Sequence, residues 1–263
     1  MQKFQNMKVL TFDYCEHLTH IPDVSGLSNL EKFSFKFCRN LITIDDSIGQ
    51  QNKLEFVSAV CCSKLESFPP LWLASLKELE LSHCRSLKSF QELLCKMKNM
   101  KEIELNDTSI GEFPFKNLSE LRRLLPWECG MLRFPKHNGK MYSIVFSNVT
   151  ELRLKGCYLS DECLPILLKW VVNVKHLDLS ENNFKILPEC LNECHLMRNL
   201  QLDACYYLVE IRGIPPNLHY LSAINCKSLS SSSRKMLLSQ VCCFFLHYYL
   251  IYYFIIFDKL IYF

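Results

Sequence analysis

Apolar and polar residues follow one recurring unit along this 263-residue chain. In each copy an apolar residue is followed by a second three positions later, a third after two more, and a cysteine or a substitute after another three. The copy at Leu76–Leu87 reads Leu-x-x-Leu-x-Leu-x-x-Cys-x-x-Leu. The ten copies start at Met7, Leu30, Leu54, Leu76, Met100, Leu121, Val149, Val174, Met197 and Leu218. Because apolar and polar residues alternate at its centre, each unit predicts a short strand with one face in a core.

The copies start 21 to 28 residues apart, which is the spacing of leucine-rich repeats, each supplying one strand and a return segment. A single unit cannot bury its own apolar side chains, so neighbouring units must stack. An apolar residue followed by proline recurs after several strands, as in Ile21-Pro22 and Leu187-Pro188, and proline ends a strand because it lacks a backbone donor. We expect an α/β repeat solenoid of about ten repeats over residues 1–240. It should form an arc with a parallel concave β-sheet and a mostly irregular or 3₁₀ convex side.

Two units depart from the pattern. Pro126 occupies the second core position of the sixth strand, and the unit then runs long, through Met141. Proline in a central strand loses a ladder bond, so pairing there should be weak or interrupted, and insertions in solenoids often form loops on the binding face. The next return segment, Leu159–Trp170, has helical apolar spacing after a possible cap at Ser160, which predicts a helix on the convex side.

The chain has fifteen cysteines, and most of them follow the repeat. Eight occupy the cysteine position of the unit: Cys15, Cys38, Cys62, Cys84, Cys129, Cys157, Cys205 and Cys226. Thr108 and Asn182 occupy it in the other two copies. These residues can sit in a buried turn and hydrogen-bond to backbone groups left unpaired at the strand end. We therefore expect a ladder of free thiols, which indicates a reducing location, cytoplasmic or nucleo-cytoplasmic.

Cys190, Cys194 and His195 resemble metal ligands in isolation, but a structural zinc site needs four converging ligands, and no second pair accompanies them. We expect no metal there and a short helix instead. Asn-x-Ser/Thr sequons at Asn106, Asn117 and Asn148 would matter in an extracellular receptor. The N-terminus has no apolar run of the kind found in a signal peptide, so we expect the sequons to be incidental.

The sequence has no Gly-x-Ser-x-Gly elbow, no His-Glu-x-x-His motif and no Gly-x-x-x-x-Gly-Lys-Ser/Thr phosphate loop. The seven glycines are scattered, so there is no glycine-rich loop for a nucleotide cofactor. His83 near Glu80 and His176 near Asp178 are expected to be solvated surface pairs. The net charge of +3 is spread along the chain without a basic stripe, which does not favour nucleic acid. We therefore expect neither an enzyme, a cofactor nor a nucleic-acid partner.

The remaining possibility is a binding surface formed by side chains that flank the core positions of each strand. In the fourth and fifth copies these include Glu78, Glu80, Glu102 and Glu104, which should form an acidic patch once strands stack about 4.8 Å apart. The candidate protein-binding residues are Lys32, Lys36, Phe37, Glu78, Glu80, His83, Glu102, Glu104, Asp107, Arg123, Trp127, Arg153, Lys155, His176, Asp178 and Tyr220. The aromatic members are the favoured anchors, because buried aromatics dominate interface energies.

Several segments add a more specific resemblance. They are 21–30 (IPDVSGLSNL), 46–49 (DSIG), 211–218 (IRGIPPNL) and 222–229 (SAINCKSL). Together they resemble the repeat region of plant intracellular immune receptors, in the class with a Toll/interleukin-1 receptor-like domain, a nucleotide-binding switch and C-terminal leucine-rich repeats. The resemblance implies recognition of a pathogen effector, or of a guarded host protein, and autoinhibitory contact with the nucleotide-binding domain. It also implies a truncated member or a fragment, because the switch residues that hold ADP or ATP have no counterpart in this sequence.

The composition changes after Gln240. Val241–Phe257 is 17 residues long with only His247 ionisable near neutral pH, and the hydrophobic tail continues to Phe263. It could be a membrane anchor at the lower length limit for spanning a bilayer, or translated intron sequence. The first interpretation supports an alternative function, a membrane-tethered leucine-rich-repeat adaptor or decoy.

Overall fold

The computed structural model of the chain describes residues 4–90, 97–110, 118, 120–129, 136–137, 140–141 and 147–237. The tail at 241–263 lies outside the described residues, so both interpretations of it stay predictions. The strands are β1 (Val9–Thr11), β2 (His20–Ile21), β3 (Lys32–Ser34), β4 (Thr43–Ile44), β5 (Phe56–Ser58), β6 (Ser67–Phe68), β7 (Glu78–Glu80), β8 (Ser89–Phe90), β9 (Glu102–Glu104), β10 (Arg123–Leu125), β11 (Lys136–His137), β12 (Lys140–Met141), β13 (Glu151–Arg153), β14 (His176–Asp178), β15 (Ile186–Leu187), β16 (Asn199–Gln201), β17 (Glu210–Ile211) and β18 (Tyr220–Ser222).

The strand predicted in each of the ten units is present, and the ten form one parallel sheet. Its order follows the chain: β1-β3-β5-β7-β9-β10-β13-β14-β16-β18. The register places equal repeat positions opposite each other, so that Leu79 is paired with Val57 on one side and Ile103 on the other. Because one strand comes from each repeat and neighbours stack without crossing, the predicted solenoid with a concave parallel sheet is confirmed.

The core is a single cluster of buried side chains that runs along the whole stack. The two apolar residues of each strand region point into it, as Phe33, Phe35, Leu79 and Leu81 do. In the first repeat the equivalent residues Met7, Leu10 and Phe12 are only partly buried. The reason is that β1 has a neighbouring strand on one side only in the described chain.

A left-handed turn follows every strand of the sheet, at the residue before the cysteine position. The residues with positive φ at this position are Tyr14, Phe37, Cys61, His83, Asp107, Glu128, Gly156, Glu181, Ala204 and Asn225. Residues other than glycine rarely adopt this region, yet in the first nine repeats the turn is held because its N–H donates to the next repeat. Tyr14 N–H, for example, donates to the Lys36 carbonyl at 2.8 Å, and Glu181 N–H to that of Asp203 at 2.8 Å.

The convex side is built from short return elements, as predicted. Two-residue strands pair in parallel as β2-β4, β6-β8 and β15-β17, and Asp46–Gln50 and Glu189–Glu193 are 3₁₀ helices. The second of these is the short helix expected around Cys190. One α-helix, α1 (Leu164–Trp170), follows β13, and residues 231–237 are also helical.

The helix predicted in the segment Leu159–Trp170 is present, but its predicted start is wrong. It begins at Leu164 with Cys163 in the cap position, and no side chain caps it. Ser160 instead accepts through its carbonyl from Leu164 N–H at 3.2 Å. Pro165 lies in the first turn, where its fixed φ suits a helix and its missing N–H costs nothing.

The sheet lacks one hydrogen bond at Pro126, but the strand pairing continues beyond it. Leu105 and Leu154 occupy the same position in the preceding and following repeats. Leu105 N–H donates to the Leu125 carbonyl and Leu154 N–H to that of Asp178, whereas Pro126 has no N–H to donate. β10 pairs with β13 over two residues and with β9 over three. The ladder then resumes, because Glu128 N–H donates to the Lys155 carbonyl at 2.8 Å. Most of the insertion after it lies outside the described residues, and the described part contains the antiparallel pair β11-β12.

Candidate functional site

The outward-facing side chains of the ten-stranded sheet form the candidate surface. All sixteen predicted binding residues are at least partly exposed. Thirteen lie on the strands or directly after them, while Phe37, His83 and Asp107 occupy the left-handed turns that border the sheet. The structure therefore places the predicted residues on one continuous face and its edge.

The four glutamates of the predicted acidic patch are neighbours in the sheet, and we call them the acidic quartet: Glu78, Glu80, Glu102 and Glu104. The register pairs Glu78 with Glu102 and Glu80 with Glu104. Like charges directly opposite each other in a sheet are destabilising. The glutamate pairs of the acidic quartet therefore do not stabilise the sheet.

Two cations compensate half of the acidic quartet, one from the adjacent strand β10 and one from the repeat two strands away. Lys36 Nζ lies 2.9 Å from a Glu80 carboxylate oxygen, which also accepts a hydrogen bond from Ser58 Oγ at 2.8 Å. Arg123 lies 2.7 Å from Glu102. Within the described part of the chain, Glu78 and Glu104 have no ion pair. Burial, together with the nearby charges of Glu80 and Glu102, raises the pKa of Glu104 above its usual value.

Next to the acidic quartet, positive and negative groups neutralise one another. Arg123 bridges two strands, with its second contact to Glu151 at 2.9 Å. Arg153 contacts the other oxygen of Glu151 at 2.7 Å. This part of the face therefore carries a chain of ion pairs, and Arg123 is shared between two carboxylates.

An aromatic and a cation lie beside this chain of ion pairs. Trp127 is 39% exposed, and Lys155 Nζ lies 4.8 Å from the centre of its ring, a distance typical of a cation–π contact. The same ammonium group contacts Glu181 at 3.1 Å. Trp127 is thus held in place on an exposed part of the face, as an anchor residue would be.

The turn row beside the sheet contains another charged cluster. Asp107 accepts from Arg85 Nε at 2.7 Å and lies 3.1 Å from His83 Nδ1. Burial opposes the charge on Asp107, but the hydrogen bonds from Arg85 and His83 outweigh it and lower its pKa. The predicted residues His83 and Asp107 are therefore partners, and Arg85 completes the cluster.

The N-terminal end of the face is aromatic and basic. Lys32 is exposed, Lys36 lies over the Phe56 ring at 5.7 Å, and the rings of Phe37 and Tyr14 stack at 4.8 Å with an angle of 4°. Sequence reasoning missed Phe56 and Tyr14. Their position in the repeat could have identified them, since Phe56 is paired with Glu78 on the neighbouring strand and Tyr14 occupies the same turn position as Phe37.

At the opposite end, the register aligns His176 with Asn199, and Asn199 with Tyr220. Tyr220 is 40% exposed, and Asp178 is partly exposed on β14. These residues are several strands away from the acidic quartet. The predicted surface therefore has an aromatic and basic end, an acidic centre, a mixed region and a polar end.

The cysteine position of the repeat forms a hydrogen-bonded ladder between repeats. Each thiol from Cys38 onward donates to a carbonyl of the preceding repeat, as Cys84 does to Ala59 at 3.0 Å and Cys226 to Leu202 at 3.0 Å. Asn182 donates to the Leu154 carbonyl of the preceding repeat at 2.7 Å, whereas Thr108 donates to Leu105 within its own repeat at 2.9 Å. The ladder is therefore a structural element of the stack.

The twelve cysteines of the described residues are free, and burial raises the pKa of Cys38 and of Cys129 to about 11. Cys15 differs from the buried turn predicted for it, because it is exposed on the first repeat. Within the described residues, no three potential ligands converge to hold a metal ion. Over the same residues, no helix has the length and apolar character needed to cross a bilayer.

A stack of single parallel strands, each followed by the same left-handed turn and thiol contact, defines a leucine-rich-repeat protein. The leucine-rich repeat domain of the type III effector XopL has the same fold, with a TM-score of 0.58 and 21% identity over 86% of this chain and 74% of that one. No family model matches the sequence.

Curated relatives identify the group of proteins. The chain is 31% identical over 193 residues to disease resistance protein RPS4B of Arabidopsis thaliana, covering 65% of this chain and 16% of that protein. It is 30% identical over 228 residues to RPP4 of the same plant (84% and 19%), and 29% identical over 155 residues to TMV resistance protein N of Nicotiana glutinosa (57% and 13%). The predicted resemblance is confirmed: the chain is homologous to the leucine-rich-repeat part of plant disease resistance proteins, and it spans less than a fifth of each relative's length.

Proposed function

We propose that this chain is the recognition module of a plant disease resistance protein and that its concave face binds a pathogen effector or a guarded host protein. The observation that carries this proposal is the character of that face. Across ten strands in register it presents charged and aromatic side chains, such as Trp127 and Tyr220, that the core does not require. Side chains of this kind are free to define a partner.

The mode of action is surface complementarity, and we propose that the chain performs no catalysis. The leucine-rich-repeat regions of disease resistance proteins typically have no catalytic activity. The family resemblance further supports a cytoplasmic location, and a second contact with the nucleotide-binding domain of a full-length receptor that keeps the receptor inactive. The alternative of a membrane-tethered decoy depends on residues 241–263.

The test is a comparison of captured partners between two double variants expressed in pathogen-challenged leaf tissue. Trp127→Ala with Tyr220→Ala removes two aromatics from the concave face, which are 39% and 40% exposed. The matched control, Trp72→Ala with Tyr207→Ala, removes the same residue types at 53% and 57% exposure from positions outside the ten-stranded sheet. Crosslinking and quantitative mass spectrometry then measure each captured protein.

We expect the control variant to retain the partners of the unaltered chain, and the concave variant to lose at least one of them by tenfold or more, corresponding to about 1.4 kcal/mol. Anchoring aromatics commonly contribute this much. If the concave variant retains every partner that the control retains, the concave face is not the recognition surface.

A further inference from the structure

The centre of the concave face carries an electrostatic imbalance that the fold does not resolve. The acidic quartet contains four carboxylates on two adjacent strands, and its register places like charges opposite each other. Lys36 neutralises Glu80 and Arg123 neutralises Glu102, but Arg123 is shared with Glu151. In the described residues, Glu78 and Glu104 have no cation within ion-pair distance.

A second, independent feature lies on the same face. Ser82 Oγ is buried and, among the described residues, is the side-chain polar atom left without a hydrogen-bond partner, with the residue only 4% exposed. Leu79 and Leu81 point into the core, so Glu78 and Glu80 face the opposite, concave side, and Ser82 follows at the next alternate position, just beyond the end of β7. Buried polar groups are almost always paired, and a hydroxyl without a partner, next to a strand that carries two carboxylates, complements a positively charged, donor-rich group.

We propose that the acidic quartet and Ser82 bind an extended basic segment of a partner protein, with arginine or lysine at alternate positions. This inference rests on the proposed function, because it names the chemistry of the partner that the concave face takes. Residues two apart in an extended chain are about 6.6 Å apart, which is also the separation of Glu78 and Glu80 along their strand. An arginine beside the quartet can also reach Trp127, which lies one strand further along and 39% exposed.

Other ligand classes fit the site less well. A nucleic acid is repelled, because its phosphates carry the same sign of charge as the quartet. A metal ion is disfavoured, because no group of three suitable side chains converges within the described part of the chain. A basic peptide satisfies both the carboxylates and the hydroxyl, since guanidinium groups offer several donors in a planar fork.

The experiment measures binding of the full 263-residue chain to a fluorescein-labelled peptide of alternating arginine and serine, by fluorescence anisotropy. The same peptide with citrulline in place of arginine keeps the size and removes the charge. Glu78→Gln with Glu104→Gln removes the two carboxylates without an ion pair and leaves the Lys36 and Arg123 contacts intact. The control, Glu66→Gln with Glu162→Gln, removes two exposed carboxylates outside the ten-stranded sheet.

We expect Glu78→Gln with Glu104→Gln to raise the dissociation constant of the arginine peptide about tenfold, and the control variant to change it less than about twofold. The affinity should fall as ionic strength rises, and the citrulline peptide should not bind. The proposal is overturned if Glu78→Gln with Glu104→Gln binds the arginine peptide as well as the unaltered chain does, or if this variant and the control lose the same affinity. Thermal unfolding of each variant verifies that the fold is retained.

A second variant gives an independent result. Glu78→Lys with Glu104→Lys should bind a peptide of alternating aspartate and serine and lose the arginine peptide; retention of the arginine peptide overturns the proposal.

Failure of this proposal is distinguishable from failure of the proposed function. If the aromatic variant loses its captured partner while Glu78→Gln with Glu104→Gln keeps it, recognition by the concave face stands and its basic partner does not. If both variants keep every captured partner, both proposals fail.

Discussion

The thiol of Cys157 donates a hydrogen bond to the carbonyl oxygen of Pro126 at 2.7 Å. Pro126 replaces a core apolar residue and cannot donate to its neighbouring strand, yet its carbonyl serves the ladder as Ala59 does for Cys84. The ladder therefore depends on backbone register and tolerates a change of side chain on the accepting repeat. The contact between Cys157 and Pro126 also helps to keep the stack continuous where the hydrogen bond from Pro126 is missing.

The ladder position should differ in its contribution to stability according to the residue that occupies it. Asn182 donates to the carbonyls of Leu154, Leu179 and Ser180 and accepts from Leu159 N–H, whereas Cys205 donates to Leu179 alone at 3.3 Å. Asn182→Ala leaves the Leu159 N–H without its partner and removes one donor from each of the three carbonyls, so it should lower the free energy of unfolding by about 3 kcal/mol. Cys205→Ala should cost about 1–2 kcal/mol. Urea denaturation of both variants checks the difference, and equal costs would contradict it.

Thiol reactivity should follow position along the stack. Cys15 is exposed, whereas Cys129 is buried with its pKa raised to about 11. The thiolate is the nucleophile, so iodoacetamide near neutral pH should modify Cys15 first and Cys129 only on unfolding. Mass spectrometry of a labelling time course measures this order. Similar labelling rates at Cys15 and Cys129 in the folded protein would show that the ladder opens readily.

The acidic quartet should make stability depend on pH through Glu104. Its pKa is raised in the folded state by burial and by the charges of Glu80 and Glu102, so folding favours its protonated form. This favourable contribution is present below the unfolded pKa of about 4.3 and is lost as pH rises through the higher folded value. Glu104→Gln should therefore stabilise the protein at pH 7.

The gain should be about 1 kcal/mol or less, the range for like charges opposite each other in a sheet. In a thermal melt this corresponds to about 2–4 °C or less. Below pH 4 the two proteins should melt at the same temperature. Glu66→Gln, at an exposed site away from the sheet, is the matched control and should change little at either pH. A lower melting temperature for Glu104→Gln at pH 7 would show that its charge is stabilising.

The same substitution should destabilise the protein at one glycine and have little effect at another. A Cβ at Gly49 would overlap the carbonyl oxygen of Pro70 on the next return segment, whereas a Cβ at Gly26 meets nothing within 4 Å. Gly49→Ala should therefore cost about 1–3 kcal/mol, or more if the backbone cannot shift. Gly26→Ala should stay within about 0.5 kcal/mol of the unaltered protein. Chemical denaturation of the pair tests how closely neighbouring return segments pack.

The sequence alone determined the architecture because its information is periodic and local. Alternating apolar residues such as Leu79 and Leu81 fix which face of each strand is buried, and their return every two dozen or so residues requires stacking. The thiol ladder could be expected for the same reason, since Cys84 and Cys226 occupy one position of one unit. Segments such as 211–218 carried the resemblance to plant disease resistance proteins.

The tertiary structure decided what depends on contacts between repeats. No local signal marks the left-handed turns at His83 or Glu128, because inter-repeat hydrogen bonds hold them there. The sequence predicted an acidic patch, but only the register shows that Lys36 and Arg123 compensate two of its members and leave Glu78 and Glu104 without an ion pair. Charge balance on this face is set by residues one or two repeats apart in the chain, and such contacts form only when the repeats stack.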